Sequence, residues 1–381
     1  MKKIPFNKPY ITGQEIRYIS EAIASSSLAG DGVFTKKCQA FFEHHYGFNK
    51  CLLTTSCTDA LEMAAILFDI QPGDEVIVPS FTFVSTANAF VLRGAKIVFA
   101  DSEEYSPNID ASKIESLITP KTKAIVVVHY GGIACEMDEI MDIAQRHKLY
   151  VVEDAAQAID SFYKGKPLGS IGHLAAFSFH ETKNIVSGEG GLLVINDEQF
   201  FERAEIIREK GTNRGMFSRG EVNKYEWTDV GSSFLPSDMI AAFLWAQIEQ
   251  IEQIQSQRQK VWLQYHQQLQ PLADNQKIGL LPVAFTKQHN ANLFCIITQS
   301  AEERTQLIAF LKHRHIASAF HYLSLHKSPF YARYHDSRIL KNADKFTERL
   351  LRLPFYSELT TEDVFQVTES INAFYSSNAH Q

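Results

Sequence analysis

The sequence predicts an α/β fold: a mostly parallel central sheet flanked by helices, followed by a smaller C-terminal α+β domain. Three observations lead there. Between about residues 50 and 200, short apolar runs alternate with amphipathic segments, the order expected when crossover helices join parallel strands. Beyond Gly231 that texture gives way to a glutamine-rich amphipathic stretch and then to a mixed strand-and-helix region. The balance of 45% hydrophobic and 21% charged side chains over 381 residues suits a globular chain with one large core or two domains, neither disordered nor fibrous.

Each element has a local reason. The runs 51–55, 75–79, 96–100, 124–129, 150–153, 175–179 and 192–195 are short, apolar and bounded by polar or turn residues, so each reads as a largely buried strand. After Thr58, the residues Leu61, Ala64, Ala65 and Phe68 recur at helical spacing until Gln71-Pro72-Gly73-Asp74 stops the helix in a turn. Ser237 is placed to cap one long helix whose stripe is Ile240, Phe243, Ile248, Ile251 and Ile254. That helix leaves the first domain, which sets the division at 1–249, a large domain with an N-terminal arm, and 250–381, a small domain. In the latter a strand is expected near 293–298, with helices near 302–313 and 361–375.

Composition excludes several functions. A net charge of -7 speaks against a chain built to neutralise many nucleic-acid phosphates. No apolar stretch approaches the roughly 20 residues of a membrane span, and residues 1–6 lack the apolar core of a secretory signal, so a cytoplasmic location is expected. Five widely separated cysteines without C-x-x-C spacing suggest neither a disulfide framework nor a zinc site. The histidine pairs His44 with His45 and His313 with His315 have no accompanying ligand pattern, so no metal is expected. A nicotinamide enzyme is disfavoured because no G-x-G-x-x-G follows a strand.

In open α/β sheets, ligands bind beyond the carboxyl ends of the strands. There, Val151-Val152-Glu153-Asp154 ends one run with a carboxylate. The run through Phe179 ends at Lys183, 29 residues after Asp154 (183 minus 154), before a glycine-rich Gly188-Glu189-Gly190-Gly191. Alone, Lys183 reads as a solvated loop lysine and Asp154 as the start of a turn. Together they are the two parts that pyridoxal phosphate requires: an amine that burial makes nucleophilic, and a carboxylate that keeps the ring nitrogen protonated. Thr54-Thr55-Ser56-Cys57-Thr58, between a strand and a helix, offers free amides and hydroxyls to a phosphate, Ser178 adds a hydroxyl, and the same phrase also fits a plain helix cap. Phe83 is either core or a ring that covers the cofactor plane.

These phrases, with Pro79 to Ala89, Arg208 to Arg214 and Gly231-Ser232-Ser233-Phe234-Leu235, make the chain resemble, over nearly its whole length, the sugar-nucleotide aminotransferases of fold type I. Within that family it is most similar to the WecE-type transaminases, which make dTDP-4-amino-4,6-dideoxygalactose for surface polysaccharides such as lipopolysaccharide and enterobacterial common antigen. The resemblance implies pyridoxal 5'-phosphate as cofactor, glutamate and a dTDP-linked keto sugar as substrates, and a homodimer with shared active sites. It implies that Lys183 is the catalytic residue and covalent anchor. Asp154 would pair with the ring nitrogen, Gln157 would lie near the ring hydroxyl and Phe83 would stack on the ring. Ser56, Cys57, Thr58 and Ser178 would hold the phosphate. Ser233 stands where the family has an asparagine that reaches across the dimer to the phosphate. His321 and Tyr322, in a phrase where Ser324 replaces the family's proline, would lie near the substrate. Lys210, Arg214 and Lys224 are cations suited to a diphosphate.

Other outcomes stay open on the same scaffold. The acceptor is alternatively UDP-linked or aminated at C3, and less favoured alternatives are a sugar dehydratase, whose members typically lack the lysine, and a non-catalytic sugar-nucleotide sensor.

Overall fold

All seven apolar runs become strands of one sheet. A computed structural model describes residues 2–26, 28–283 and 287–377. The strands are β1 (Lys50–Thr54), β2 (Glu75–Pro79), β3 (Lys96–Ala100), β4 (Thr122–Val128), β5 (Tyr150–Asp154), β6 (Leu174–Ser178) and β7 (Gly191–Ile195), in spatial order β1-β7-β6-β5-β4-β2-β3. Neighbours from β6 to β3 pair in parallel, while β7 runs antiparallel to both β1 and β6. The strands lack polar alternation because helices cover both faces: Ile77, Val126, Val152 and Leu193 are all fully buried.

This topology decides where chemistry can gather. β5 lies between β4 and β6 with Asp154 at its carboxyl end, and β6 ends at Ser178 on the same edge. Gly191, the first residue of β7, is paired with Thr54 on one side and Ser178 on the other. The ends of β1, β5 and β6 therefore open on one side of the sheet.

The long helix expected from Ser237 through Ile254 is two helices, Asp238–Ile248 and Ile251–Asp274. Gln250 has left helical geometry (φ -117°, ψ 18°). The apolar stripe conceals this break because Ile248, Ile251 and Ile254 bury into the same core on both sides of it. Ser237 occupies the cap position, but its side chain makes no capping hydrogen bond. The second helix passes from one core to another, with Val261, Tyr265 and Leu269 in the C-terminal cluster.

That cluster surrounds an antiparallel four-stranded sheet of Gly279–Leu280, Cys295–Ile297, Leu350–Arg352 and Ala319–Phe320, packed against the helices Ala301–His313 and Thr361–Ser377. The helix break falls at Glu249 and Gln250, and the N-terminal arm packs against the C-terminal cluster. Ile4 is buried in the C-terminal cluster, where its amide donates to His315 and its carbonyl accepts from Ala317. No helix among the described residues is long and apolar enough to cross a membrane.

Candidate active site

A cavity of about 490 Å³ opens at the carboxyl end of the sheet. Its wall includes Ser56, Cys57, Thr58, Phe83, Asp154, Gln157, Ser178, Lys183, His321 and Tyr322, ten residues singled out from sequence. They arrive from widely separated segments because parallel strands end on one edge and the C-terminal lobe leans over it.

One wall is the start of the helix Cys57–Leu67. Ser56 adopts extended backbone, and its hydroxyl oxygen accepts the Asp59 amide at 3.1 Å. That leaves the amides of Cys57 and Thr58 without an acceptor among the described residues. Free amides at a helix N-terminus are an anion site. Thr58 is oriented by its bond to Ser85 at 2.8 Å, and Ser178 accepts the His180 amide at 3.4 Å while keeping its own hydroxyl proton to donate. Gly191 passes directly beneath: a Cβ there would lie 2.4 Å from the Ser56 carbonyl and 2.5 Å from the Cys57 nitrogen.

The floor is Asp154. Thr86 donates to its Oδ2 at 2.7 Å and the Ala156 amide to its Oδ1 at 3.2 Å. Burial pushes the Asp154 carboxyl up, against the pull of Thr86, Ala156 and Lys183. Behind it the buried Glu153 receives His129 Nε2 at 3.0 Å and the amides of Gly169, Ile171 and Gly172 at 2.6–2.8 Å, which tie the strand end to the next loop. Burial would raise Glu153, but His129 and those amides outweigh it and hold the carboxyl below the usual range.

Lys183 is half-buried and its ammonium has no hydrogen-bond or ion-pair partner among the described residues. Burial pushes its proton affinity down, with Cys57 and Asp154 pulling the other way and Arg352 adding to the depression. This is the environment that favours a neutral, nucleophilic amine. Burial also pushes the Cys57 thiol up, so Cys57 stays protonated.

Phe83 is not core. The residue is 55% exposed at the start of the helix Val84–Val91, and its ring leans towards Tyr322, with 6.1 Å between ring centroids. Gln157 is clamped at both ends, accepting the Gly131 amide at 2.7 Å and donating to the Tyr322 hydroxyl at 3.1 Å. His321 bonds Tyr130 through Nδ1 at 2.8 Å and faces Arg352 through Nε2 at 3.2 Å. Burial, Arg352 and Lys183 all depress the basicity of His321, so its Nε2 is an unprotonated acceptor for the guanidinium.

The sequence reading missed Arg352, whose buried Nε has no partner among the described residues. A cation ending the apolar Leu350-Leu351 run was the available signal. It also missed Thr86, His180, Thr182 and Glu189, polar residues within or beside the quoted phrases.

Residues 9–372 match the model of the DegT/DnrJ/EryC1/StrS aminotransferase family. The chain belongs to this family. It is 33% identical to the spore coat polysaccharide biosynthesis protein SpsC of Bacillus subtilis, covering 97% of this chain and 96% of that protein. It is 32% identical to the GDP-perosamine synthase of Escherichia coli O157:H7, covering 99% and 100%. The sugar aminotransferase Spr1654 of Streptococcus pneumoniae, described as putative and solved in its PLP form, superposes with a TM-score of 0.90 at 25% identity, covering 99% of each chain. This chain is therefore a sugar aminotransferase of fold type I, and pyridoxal phosphate is its cofactor. The donor set fits that group: free amides and hydroxyls for a phosphate, a carboxylate floor, an exposed aromatic ring and a half-buried amine around one cavity.

In this aminotransferase three expected site residues lie elsewhere. Ser233, Lys210 and Arg214 line a second groove of about 810 Å³. Ser233 is bridged to Glu209, whose carboxylate faces Lys210 at 3.6 Å and Arg214 at 3.9 Å. Lys224 lines neither cavity, and its carbonyl accepts from Asn213.

Proposed function

We propose that the chain transfers the amino group of glutamate to a nucleotide-linked keto sugar, with C4 of a dTDP-4-keto-6-deoxy sugar as acceptor and dTDP-4-amino-4,6-dideoxygalactose as product. The observation that carries the proposal is the single cavity in which Lys183, Asp154 and the N-terminus of the helix Cys57–Leu67 face one another. Pyridoxal phosphate, when bound, supplies an aldehyde carbon that takes up an amino group and a ring that takes up the electron pair left at the reacting carbon. The Lys183 amine would anchor the cofactor and, when free, would serve as the proton carrier at the donor carbon and at the sugar carbon. Asp154 would keep a proton on the ring nitrogen, and Gln157 would serve the ring hydroxyl. Ser56, Thr58 and Ser178 would hold the phosphate with the amides of Cys57 and Thr58, while Phe83 would cover the ring. His321 and Tyr322 border the substrate.

Arg352 meets a carboxylate of glutamate, the group that best matches a guanidinium in a low-dielectric wall. The protein acts as a homodimer in which the groove of Ser233, Lys210 and Arg214 serves the phosphates of the neighbouring site. SpsC, named for polysaccharide biosynthesis, supports a role in surface polysaccharide formation.

A GDP-linked keto sugar is the second reading, favoured by the likeness to the GDP-perosamine synthase. Purified protein incubated with glutamate and dTDP-, UDP- and GDP-linked 4-keto-6-deoxy sugars separates the two, with products identified by mass and NMR. A dTDP-linked 4-amino product with galactose configuration is the expected result. Absence of nitrogen transfer to every sugar would reject both.

A further inference from the structure

Both His180 and Glu189 line the cavity, and their polar atoms approach each other without forming a hydrogen bond. Nδ1 of His180 accepts the Thr182 hydroxyl at 2.9 Å and the Thr182 amide at 3.3 Å. A ring nitrogen that accepts an amide proton has its lone pair in that bond, so the neutral imidazole carries its own proton on Nε2. That Nε2 stands 3.7 Å from Oε1 of Glu189. The distance exceeds a hydrogen bond, yet an oxygen at ordinary bonding distance from both atoms fits the triangle they define. The Glu189 carboxylate has no other side-chain partner among the described residues, and Glu189 lines the same cavity as Lys183. Both side chains are open to an incoming ligand, at 40% and 67% exposure.

We infer, resting on the aminotransferase function proposed above, that His180 and Glu189 are a specificity pair that clamps one hydroxyl of the sugar acceptor. Nε2–H donates to the hydroxyl oxygen and the hydroxyl proton is donated to Glu189. Thr182 is a positioning residue that sets the imidazole tautomer. The ligand class is a neutral polyhydroxy ring, because the Glu189 charge repels a carboxylate at the same place. The pair thus reads the sugar and not the amino donor.

The test uses the holoenzyme, its H180F and E189A variants, the accepted keto sugar and a set of analogues each lacking one hydroxyl. For one particular hydroxyl, removal is expected to cost the unmodified enzyme about 10-fold in kcat/KM and each variant no more than about 2-fold, the loss of one hydrogen-bonded group being felt once only. The rise in KM of the variants is expected for the keto sugar, with glutamate KM held. Both side chains are exposed, so neither substitution threatens folding. If every missing hydroxyl costs the variants as much as it costs the unmodified enzyme, while glutamate still bleaches the cofactor's visible band, the clamp is overturned and the proposed function stands. If glutamate leaves the band of the unmodified enzyme unchanged, the proposed function fails and the clamp fails with it.

Discussion

The hydroxyl of Thr86 donates to Oδ2 of Asp154 at 2.7 Å, linking the helix Val84–Val91 to the end of β5. Thr82 and Thr86 hydroxyls are themselves 2.8 Å apart, so the buried carboxylate ends a short hydroxyl chain. Removing one donor from a buried charged acceptor costs about 1–3 kcal/mol. Thr86→Val is therefore expected to weaken cofactor binding about 10-fold, measured by titrating apoprotein with pyridoxal phosphate and following absorbance. Unchanged affinity would separate Thr86 from the function of Asp154.

Lys183→Ala removes the amine proposed as proton carrier. Loss of at least about 100-fold in the rate of the glutamate half-reaction is expected, the usual scale of general acid–base catalysis. Single-turnover absorbance measures it. Borohydride labelling that moved to no other lysine in the variant, but marked Lys183 in the unmodified protein, would complete the assignment.

Gly191→Ala places a methyl group 2.4 Å from the Ser56 carbonyl and 2.5 Å from the Cys57 nitrogen. Backbone atoms cannot swing aside as a side-chain tip does, so the helix start must shift. A destabilisation of about 1–3 kcal/mol is expected from such overpacking, together with a larger loss of affinity for pyridoxal phosphate than for pyridoxal. Equal losses for the two ligands would mean that the phosphate cradle is not what moved.

Arg352→Lys keeps the charge but loses the fork. If Arg352 meets glutamate's carboxylate, glutamate KM should rise about 10-fold with the keto-sugar KM little altered, since charge-assisted pairs contribute about twice a neutral bond. Steady-state kinetics with each substrate varied in turn distinguishes this from a general loss of fold.

Glu103 lies outside the cavity. Burial pushes its carboxyl up to about 7, opposed by Lys287 and reinforced by Glu136, Asp110 and Glu139. The folded chain keeps this proton between its unfolded value near 4.5 and about 7, so the stability it contributes is full below 4.5 and is lost as pH rises through 7. Glu103→Gln should flatten that loss, on the order of 1–3 kcal/mol. Denaturant melts at pH 5 and pH 8 read it directly. An equally steep decline in the variant would place the titration elsewhere.

How much of this was legible in advance follows from range. The seven strands were, because a strand buried on both faces has to be apolar over its whole short length, and such runs stand out between turns. Lys183, Asp154 and the Ser56–Thr58 phrase could be placed together for a related reason: each lies at the end of its own strand or in the segment just beyond it, and parallel strands bring those ends to one edge. The break at Gln250 was not, because a continuous apolar stripe is equally compatible with one helix or two.

What only the tertiary structure decided is which distant groups share an environment. Arg352, His321 and Tyr130 come from different segments and meet only where the C-terminal lobe packs over the sheet. Ile4 crosses to the C-terminal core, and Ser233, Lys210 and Arg214 fall in a groove away from Lys183. Periodicity and capping act over a few residues and are written locally. Burial, proton affinity and the gap between His180 and Glu189 depend on atoms brought together through space, so no local pattern records them.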